Sequence, residues 1–290
     1  CTHGFIGAFG TGIGSTDAAV AMALGELWMK VPESVKFVYH GKPQKWVRGK
    51  DLILHTIARI GVEGARYQAM EFMGEALQHL DMSDRFSMAN MAIEAGAKAG
   101  LFEADEMTRS FIRARGREDG LYLQSDPDAE YAAVYEFDVS EFEPFVAVPF
   151  IPENVKPVSQ LNEVEIDQAV IGMCTNGNLE DLRAAAEILK GHQIHPRVRA
   201  VIIPGSQKVY LDALREGLIE IFIQANCSVS TPTCGPCLGG HMGVLAAGEK
   251  CISTSNRNFR GRMGHTSSEL YLANPYVAAA RGLIDDVIDP

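Results

Sequence analysis

The run Gln168-Ala-Val-Ile-Gly-Met173, followed at once by Cys174-Thr-Asn-Gly177, decides how this chain is built. Its short apolar stretch predicts a buried strand over residues 168–173, and Asn-Gly predicts the turn that ends it. The sequence beyond it predicts a helix over 179–189, a strand over 198–203 and a helix over 208–224. Strands that alternate with helices in this way form βαβ units, so we predict an α/β protein with a parallel sheet.

The residues before this unit predict further helices and strands. A β-rich run over 35–39 ends at a Gly-Lys-Pro turn and is predicted to be a strand. Helices are predicted over residues 18–27, 50–60, 87–99 and 104–115. Because of prolines 144, 149, 152 and 157, residues 145–158 cannot form one unbroken helix or strand. We interpret this segment as a linker that closes one domain.

Charge and composition exclude several classes of protein. The net charge is −11 and there is no dense Lys/Arg run, which argues against nucleic-acid or anionic-membrane partners because phosphate binding needs clustered cations. No apolar stretch approaches the ~20 residues that span a bilayer. Six cysteines in 290 residues are too dilute for a disulfide scaffold. We therefore expect a cytoplasmic enzyme with reduced thiols.

Three cysteines carry the strongest chemical signal. Cys234 and Cys237 are separated by Gly-Pro, and Cys174 follows the strand predicted over 168–173. The pair alone fits a redox dithiol, half of a zinc site with His241 nearby, or two ligands of an iron–sulfur cluster. With Cys174 as a third thiolate, a cluster with one open iron becomes the attractive interpretation. The remaining cysteines have no such spacing and are expected to be ordinary small residues: Cys1, Cys227 and Cys251.

Two other segments have residues suited to anions. Pro204-Gly205-Ser206 follows the strand predicted over 198–203, just as Thr-Asn-Gly177 follows the first, and both turns offer backbone N–H groups, although both are also good turns in themselves. The segment Ser255-Asn-Arg-Asn-Phe-Arg-Gly-Arg262 contains three arginines. It is either a solvated loop or a clamp for carboxylates, which a guanidinium grips through two N–H groups.

These segments, in this order, resemble the signatures of the aconitase superfamily, and among its members the separate large subunits of the isopropylmalate dehydratase and homoaconitase type. The matching motifs are Met173-Cys-Thr-Asn-Gly, Pro204-Gly-Ser, Cys234-Gly-Pro-Cys and Asn256-Arg-Asn-Phe-Arg-Gly-Arg. Asn90-Met-Ala-Ile-Glu-Ala-Gly-Ala and Cys1-Thr-His-Gly match two further family segments. The resemblance covers essentially all 290 residues.

The resemblance implies a fold and a set of site residues. The fold would be aconitase-like α/β: the tail of a truncated first domain over 1–31, then two βαβ-type three-layer domains with parallel-rich sheets over 32–158 and 159–290. A [4Fe–4S] cluster would be held by Cys174, Cys234 and Cys237. The other residues would be catalytic Glu94 and Asn90, cofactor-binding Asn176 and Asn256, and substrate-binding Arg257, Arg262 and Ser206.

The implied reaction removes water from a 2-hydroxy di- or tricarboxylic acid and adds it back at the neighbouring carbon. The first expectation is the isopropylmalate dehydratase of leucine biosynthesis; homoaconitase and citraconate or dimethylmalate hydratase large subunits share the pattern. The family implies a separate small, or swivel, subunit as partner. From other classes, a non-catalytic cluster-binding protein and a zinc-stabilised βαβ module remain alternatives.

The resemblance also implies that the chain is incomplete at its N-terminus. In the family, an Asp-His pair and an Asp-Ser-His motif precede the position of Cys1. We therefore expect an N-terminally truncated fragment that is inactive by itself, with a labile or absent cluster. Apolar faces around residues 1–30 would be uncovered, so we also expect self-association.

Overall fold

Short runs of β-branched and aromatic residues form the strands of two sheets in this computed structural model, which describes residues 9–117, 122, 124–161 and 164–283. The smaller sheet contains β1 (Ser34–His40), β2 (Ala69–Met73), β3 (Ala99–Phe102) and β4 (Ala133–Asp138). Their order is β3-β2-β1-β4, and every pairing among them is parallel. The Cys1-Thr-His-Gly match lies outside the described residues.

The larger sheet has seven strands. They are β5 (Phe145–Ala147), β6 (Val155–Pro157), β7 (Gln168–Gly172), β8 (Arg199–Ile203), β9 (Ser228–Val229), β10 (Lys250–Ser253) and β11 (Glu269–Leu272). Their order is β6-β5-β11-β10-β7-β8-β9, parallel from β11 to β9, whereas β5 pairs antiparallel with β11 and with β6. The predicted α/β class with parallel-rich sheets is confirmed.

The described residues form α-helices, of which all but the exposed first helix contain buried residues. They are α1 (Ser15–Leu24), α2 (Gly49–Ile60), α3 (Met82–Met91), α4 (Glu106–Arg113), α5 (Met173–Asn176), α6 (Leu179–Leu189), α7 (Gln207–Arg215), α8 (Leu218–Gln224) and α9 (Pro275–Gly282). Across the described part of the chain, no helix has the length and apolar character needed to cross a membrane.

Two hydrophobic cores fill the layers. The first runs from Phe37 and Tyr39 of the smaller sheet, through α2 and α3, to Val170 and Leu270 on one face of the larger sheet. The second lies on the other face of the larger sheet, against α6, α8 and α9. Because the first core contains residues of both sheets, the two sheets share one continuous apolar interior.

The N-terminus of α2 approaches α3 so closely that only glycine fits there. A Cβ atom on Gly49 would lie 2.6 Å from the carbonyl oxygen of Asp84. The Gly49 N–H and the Arg48 Nε both donate to Asp84 Oδ1, each at 2.8 Å. Arg48 Nη2 also donates to Asp81 Oδ2 at 2.7 Å. Charged hydrogen bonds thus fix α2 against α3.

Asp51 joins α2 to the larger sheet. Its buried carboxylate accepts the Phe145 N–H on Oδ1 at 2.8 Å, and on Oδ2 it accepts the Arg48 N–H at 2.7 Å and the Asn274 side-chain amide at 2.8 Å. Phe145 begins β5, and Asn274 caps α9. Burial raises the pKa of Asp51 to about 7, although these donors act in the opposite direction.

Two of the predicted helices have bounds in the structure that differ from the prediction because a glycine interrupts the helix. The helix predicted over 87–99 is wrong at both ends: Asp81 caps α3 by accepting the Asp84 N–H, and a 3₁₀ turn followed by Gly96, with φ of 80°, separates α3 from β3. The helix predicted over 208–224 is two helices, because Gly217 between α7 and α8 has φ of 76°. In both cases a glycine in the left-handed region ends the helical path.

The segment 145–158, interpreted as a linker, instead supplies β5 and β6 at one edge of the larger sheet. Its prolines do not prevent this, because Pro149 and Pro152 lie between the strands and Pro157 ends the second. An edge strand tolerates proline, since one side of its backbone makes no ladder bonds. The domain division at 31/32 and 158/159 stays a prediction.

The N-terminal part that the structure describes carries an uncovered apolar surface. The helix predicted over 18–27 lies three residues earlier, as α1, which ends before Gly25 with φ of 76° and has no buried residue. Met22, Trp28 and Val31 are 87%, 87% and 86% exposed. Self-association through this surface stays a prediction.

We predict that Asp51→Asn changes how stability depends on pH. The pKa of an unfolded aspartate is about 4, so the raised folded-state pKa gives stability that is fully present below about pH 4 and lost as the pH rises through about 7. Asparagine does not ionise. The unfolding free energy of the native chain minus that of the variant should fall by about 2–3 kcal/mol between about pH 5 and about pH 8.

Urea unfolding at the two pH values measures this difference. The control is Asp212→Asn, because the hydrogen bond from Lys208 lowers the pKa of that partly exposed carboxyl, which therefore does not titrate in this range. A difference for Asp51→Asn that does not depend on pH would contradict the prediction.

Candidate active site

The loops after β7 and β8 pack backbone against backbone. Gly205 N–H donates to the Gly177 carbonyl oxygen at 2.7 Å, and a Cβ atom on Gly177 would lie 2.8 Å from the Gly205 nitrogen. A Cβ atom on Gly172 would overlap the Ile203 carbonyl oxygen. The carboxyl ends of β7 and β8, which the sequence analysis pointed to, therefore lie in contact. Glycine is needed at these positions because a Cβ atom would clash with the facing backbone.

The Cys234-Gly-Pro-Cys237 turn lies against the same strand end. Gly235 has φ of 53°, and a Cβ atom on it would overlap the Cδ1 atom of Ile203. Gly172, which precedes the Cys174 turn, also abuts Ile203, so both cysteine-bearing loops adjoin one residue. The thiols of Cys174 and Cys234 are exposed, whereas Cys237 is buried.

The structure brings the cysteine loops together without gathering the thiols around a common point. Within the described residues, no three His, Cys, Asp or Glu side chains have an arrangement that could hold a metal ion. Two other cysteines of the sequence, Cys227 and Cys251, are buried, as expected for small core residues.

Glu94 is the centre of a polar cluster that draws on both sheets. It lies in the 3₁₀ turn Ala92–Ala95, next to β3, and its side chain is 3% exposed. Its Oε1 accepts from Arg257 Nε at 2.7 Å and from Asn256 Nδ2 at 3.1 Å. Asn256 and Arg257 belong to residues 255–262, here called the arginine loop, which follows β10. The predicted residues Glu94, Asn256 and Arg257 are thus in direct contact.

Opposing effects act on the Glu94 carboxyl. Burial raises its pKa above the ordinary value for glutamate, whereas the hydrogen bond from Arg257 and the charges of Arg257, Arg262 and Lys50 lower it. Both hydrogen bonds reach Oε1. Neither of these two bonds reaches Oε2.

Helix α3 is bonded to the cysteine turn. Asn90 Nδ2 donates to Thr175 Oγ1 at 3.0 Å, and Ser87 Oγ donates to Asn176 Oδ1 at 3.3 Å. Asn176 in turn donates to Asp181 Oδ1 at 3.1 Å. The predicted residues Asn90 and Asn176 therefore hold Cys174 and its neighbours against the layer that carries Glu94.

Arg262 reaches the cysteine pair. Its Nη2 lies 3.5 Å from the Cys237 sulfur, in the direction of a hydrogen bond. Its Nε, the Ser255 hydroxyl and Asn90 Oδ1 are buried, and none of them has a hydrogen-bond partner in the described part of the chain. A buried polar atom without a partner costs about 1–3 kcal/mol, so three of them on the segments of this cluster fit a polar ligand.

Ser206 has a structural task of its own. It is the N-cap of α7, and its exposed hydroxyl accepts the Val209 N–H at 3.2 Å. A side chain with this position lies at the carboxyl end of β8, the edge where ligands of parallel sheets bind. Its predicted contact with substrate stays a prediction.

Sequence reasoning missed Lys50. This fully buried side chain donates from Nζ to the carbonyl oxygens of Thr254, at 3.0 Å, and Ser255, at 2.6 Å. Burial lowers its pKa to about 7, against the effect of nearby carboxylates including Asp181. A signal was available, because Lys50 continues the helical spacing of Ile53 and Ile57, but periodicity counts only apolar residues.

Comparison with known proteins identifies the relatives of this chain. The family described as "Aconitase family (aconitate hydratase)" matches residues 1–163 and 156–284. The 3-isopropylmalate dehydratase large subunit of Hydrogenobaculum sp. (strain Y04AAS1) is 61% identical over 290 residues, which are 100% of this chain and 68% of that protein. The protein of the same name from Thermodesulfovibrio yellowstonii is 60% identical over 290 residues, 100% of this chain and 69% of that protein.

The large subunit of the same name from Aquifex aeolicus is 58% identical over 295 residues, 100% of this chain and 68% of that protein. Among solved structures, the holo-form of aconitase X from Thermococcus kodakaraensis superposes with a TM-score of 0.46 at 13% identity, over 82% of this chain and 53% of that one. The family match spans nearly the whole chain, and the relatives align with all of it. This chain belongs to the aconitase family.

Proposed function

We propose that this chain is the large-subunit component of a hydro-lyase that converts 3-isopropylmalate by dehydration and rehydration, a step of leucine biosynthesis. The names of its relatives support this substrate. The observation that carries the proposal is the buried Glu94 carboxylate, which Asn256 and Arg257 bond from the loop after β10, while Asn90 on the same layer bonds to the turn that carries Cys174.

The aconitase family implies an iron–sulfur cluster, and this chain has residue types that suit one, although the thiols of its described residues do not converge in this structure. The two loops that carry Cys174, Cys234 and Cys237 adjoin Ile203, and Arg262 Nη2 lies 3.5 Å from the Cys237 sulfur. Asn90 Oδ1 and Arg262 Nε are buried and find no hydrogen-bond partner among the described residues. These three cysteines would hold a [4Fe–4S] cluster. When bound, it would supply an open iron position, a Lewis acid for the hydroxyl that leaves.

The arginine loop would bind the substrate. Loss of a proton beside a carboxylate places negative charge on that carboxylate, so cations that hold it lower the barrier. Arg257 uses Nε on Glu94, and its side chain is 35% exposed, which leaves guanidinium N–H groups for a ligand. Arg262 Nε has no hydrogen-bond partner among the residues that the structure describes. The two arginines are our candidates for the two carboxylates of the substrate, and Ser206 for a further contact.

Glu94 would manage the proton of the water that is removed. Burial raises its pKa, so the carboxyl can hold a proton more readily than an exposed glutamate can. Arg257 and Asn256 both bond to its Oε1, so Oε2 would be the oxygen that takes part in proton transfer. Asn90 Oδ1, which is buried and has no donor among the described residues, would accept a hydrogen bond from the same water or hydroxyl.

The words "large subunit" in the names of the relatives support a partner, a separate small subunit. Part of the site would then lie on that partner, and the exposed Cys174 and Cys234 loops would face it or the substrate. The division into domains at 1–31, 32–158 and 159–290 belongs to the same proposal.

We predict that three cysteines, and not the others, bind iron. After anaerobic reconstitution with iron and sulfide, Cys174→Ser, Cys234→Ser and Cys237→Ser should each lose most of the bound iron, because serine replaces a thiolate ligand poorly. Matched controls are Cys227→Ser and Cys251→Ser, where burial raises the thiol pKa to about 12. Iron and sulfide are counted chemically. Equal losses in the controls would contradict this ligand set.

We predict that this chain supports dehydratase activity in a chimera. Its residues replace the aligned 68% of the Hydrogenobaculum relative, and the product is assayed with the small subunit. The chimera should turn over 3-isopropylmalate, and Glu94→Gln should lower kcat by about 10²–10⁴-fold because the proton carrier is lost.

The control for the Glu94 variant is Glu216→Gln, which removes an exposed carboxylate paired with Arg183 and should leave kcat unchanged. A chimera that prefers homoaconitate or citraconate would assign the chain to another branch of the family. A chimera inactive on all these acids, with the parent relative active under the same conditions, would overturn the proposed function.

A further inference from the structure

Lys50 reaches from α2 to the segment directly before Asn256. Its Nζ donates to the carbonyl oxygens of two successive residues, Thr254 at 3.0 Å and Ser255 at 2.6 Å. Two bonded carbonyls in a row fix both the position and the direction of the backbone there. The next two residues, Asn256 and Arg257, are those whose side chains reach Glu94.

The same segment is tied to the cysteine turn. Thr254 Oγ1 accepts the Gly172 N–H at 2.9 Å and lies 3.4 Å from the Gly172 carbonyl oxygen. Gly172 ends β7 and is followed by Met173 and Cys174. A shift of residues 254 and 255 would therefore move both the arginine loop and the start of the turn that carries Cys174.

A role in packing alone does not account for a lysine here. The side chain is fully buried, and taking an ammonium out of water is strongly unfavourable unless its N–H groups are bonded. An apolar residue such as methionine would fill similar space without that cost. The hydrogen bonds go to backbone carbonyls, so what the ammonium specifies is the position of a loop.

We propose that Lys50 is a positioning residue that sets Asn256 and Arg257 against Glu94. The inference rests on the proposed function only in taking this cluster to be the active site. Lys50 acts through the backbone at 254 and 255. It differs in this from Asp51, the next residue, which bonds to β5 and to the N-cap of α9.

Hydrogen exchange of the chain tests the proposal without any assay of activity. In Lys50→Met, exchange at residues 254–258 should rise by at least about tenfold, because the segment loses both of its hydrogen bonds from Lys50, while β1 and β2 keep their protection. Lys50→Arg retains N–H donors and should restore most of the protection. The matched control is Thr56→Val, which removes another buried hydrogen bond of α2, the 2.7 Å contact with the Tyr39 hydroxyl.

Each outcome decides the question. Faster exchange at 254–258 in Lys50→Met but not in Thr56→Val supports the positioning role. Unchanged exchange there, or equal increases across α2, β1 and the loop, overturns it. If neither Lys50→Met nor Lys50→Arg folds, Lys50 serves the fold in general and the proposal is also overturned.

The chimera described above supplies a second measurement. Lys50→Met should lower kcat/KM at least about tenfold through both KM and kcat, because a displaced Arg257 weakens substrate binding and a displaced Glu94 slows proton transfer. Lys50→Arg should recover part of both. If the unsubstituted chimera is inactive, the proposed function fails by itself, and hydrogen exchange still decides the role of Lys50.

Discussion

The relative position of the two sheets depends on charged groups buried at the start of α2. Arg48 bonds to Asp84 on α3, Lys50 to the backbone before the arginine loop, and Asp51 to β5 and α9. An ion is stable out of water only where its partners are in place, so these bonds tolerate few alternative arrangements. The apolar core stabilises the packing of the two sheets, and the hydrogen bonds of these charged side chains fix the position of one sheet relative to the other.

The regular part of the fold could be predicted from the sequence, because it depends on local pattern. The short apolar run at β7 is typical of a buried strand, and the residues of α6 have helical spacing. The alternation of predicted strands and helices indicated a parallel sheet. Element ends were harder to predict. They depend on caps such as Asp81 and on glycines such as Gly217, whose effect on the chain is visible only with their φ angles. The edge strands β5 and β6 are stabilised by pairing with β11, which is a non-local contact.

Some residues of the candidate site could likewise be predicted from the sequence, and others could not. The resemblance to the aconitase superfamily pointed to Glu94, Asn256 and Arg257 in motifs far apart in the chain, and Glu94 contacts the other two. It did not identify Lys50, because a lysine in the first turn of a helix normally faces water and only the folded layers reveal that this one does not. Nor did it reveal that Ser206 caps α7, since capping and ligand binding use the same residue types at the same place.

The cluster around Glu94 is built across a boundary. Glu94 comes from the layer of the smaller sheet, and its two partners come from the loop after β10 of the larger one. A slight parting of the two layers would therefore dismantle the cluster while each sheet kept its own hydrogen bonds. For this reason the free energy of unfolding of the whole chain is only an upper limit on the free energy needed to separate the polar residues around Glu94. Mild pressure or dilute denaturant, too weak to unfold either sheet, would break the hydrogen bonds between Glu94 and the arginine loop first.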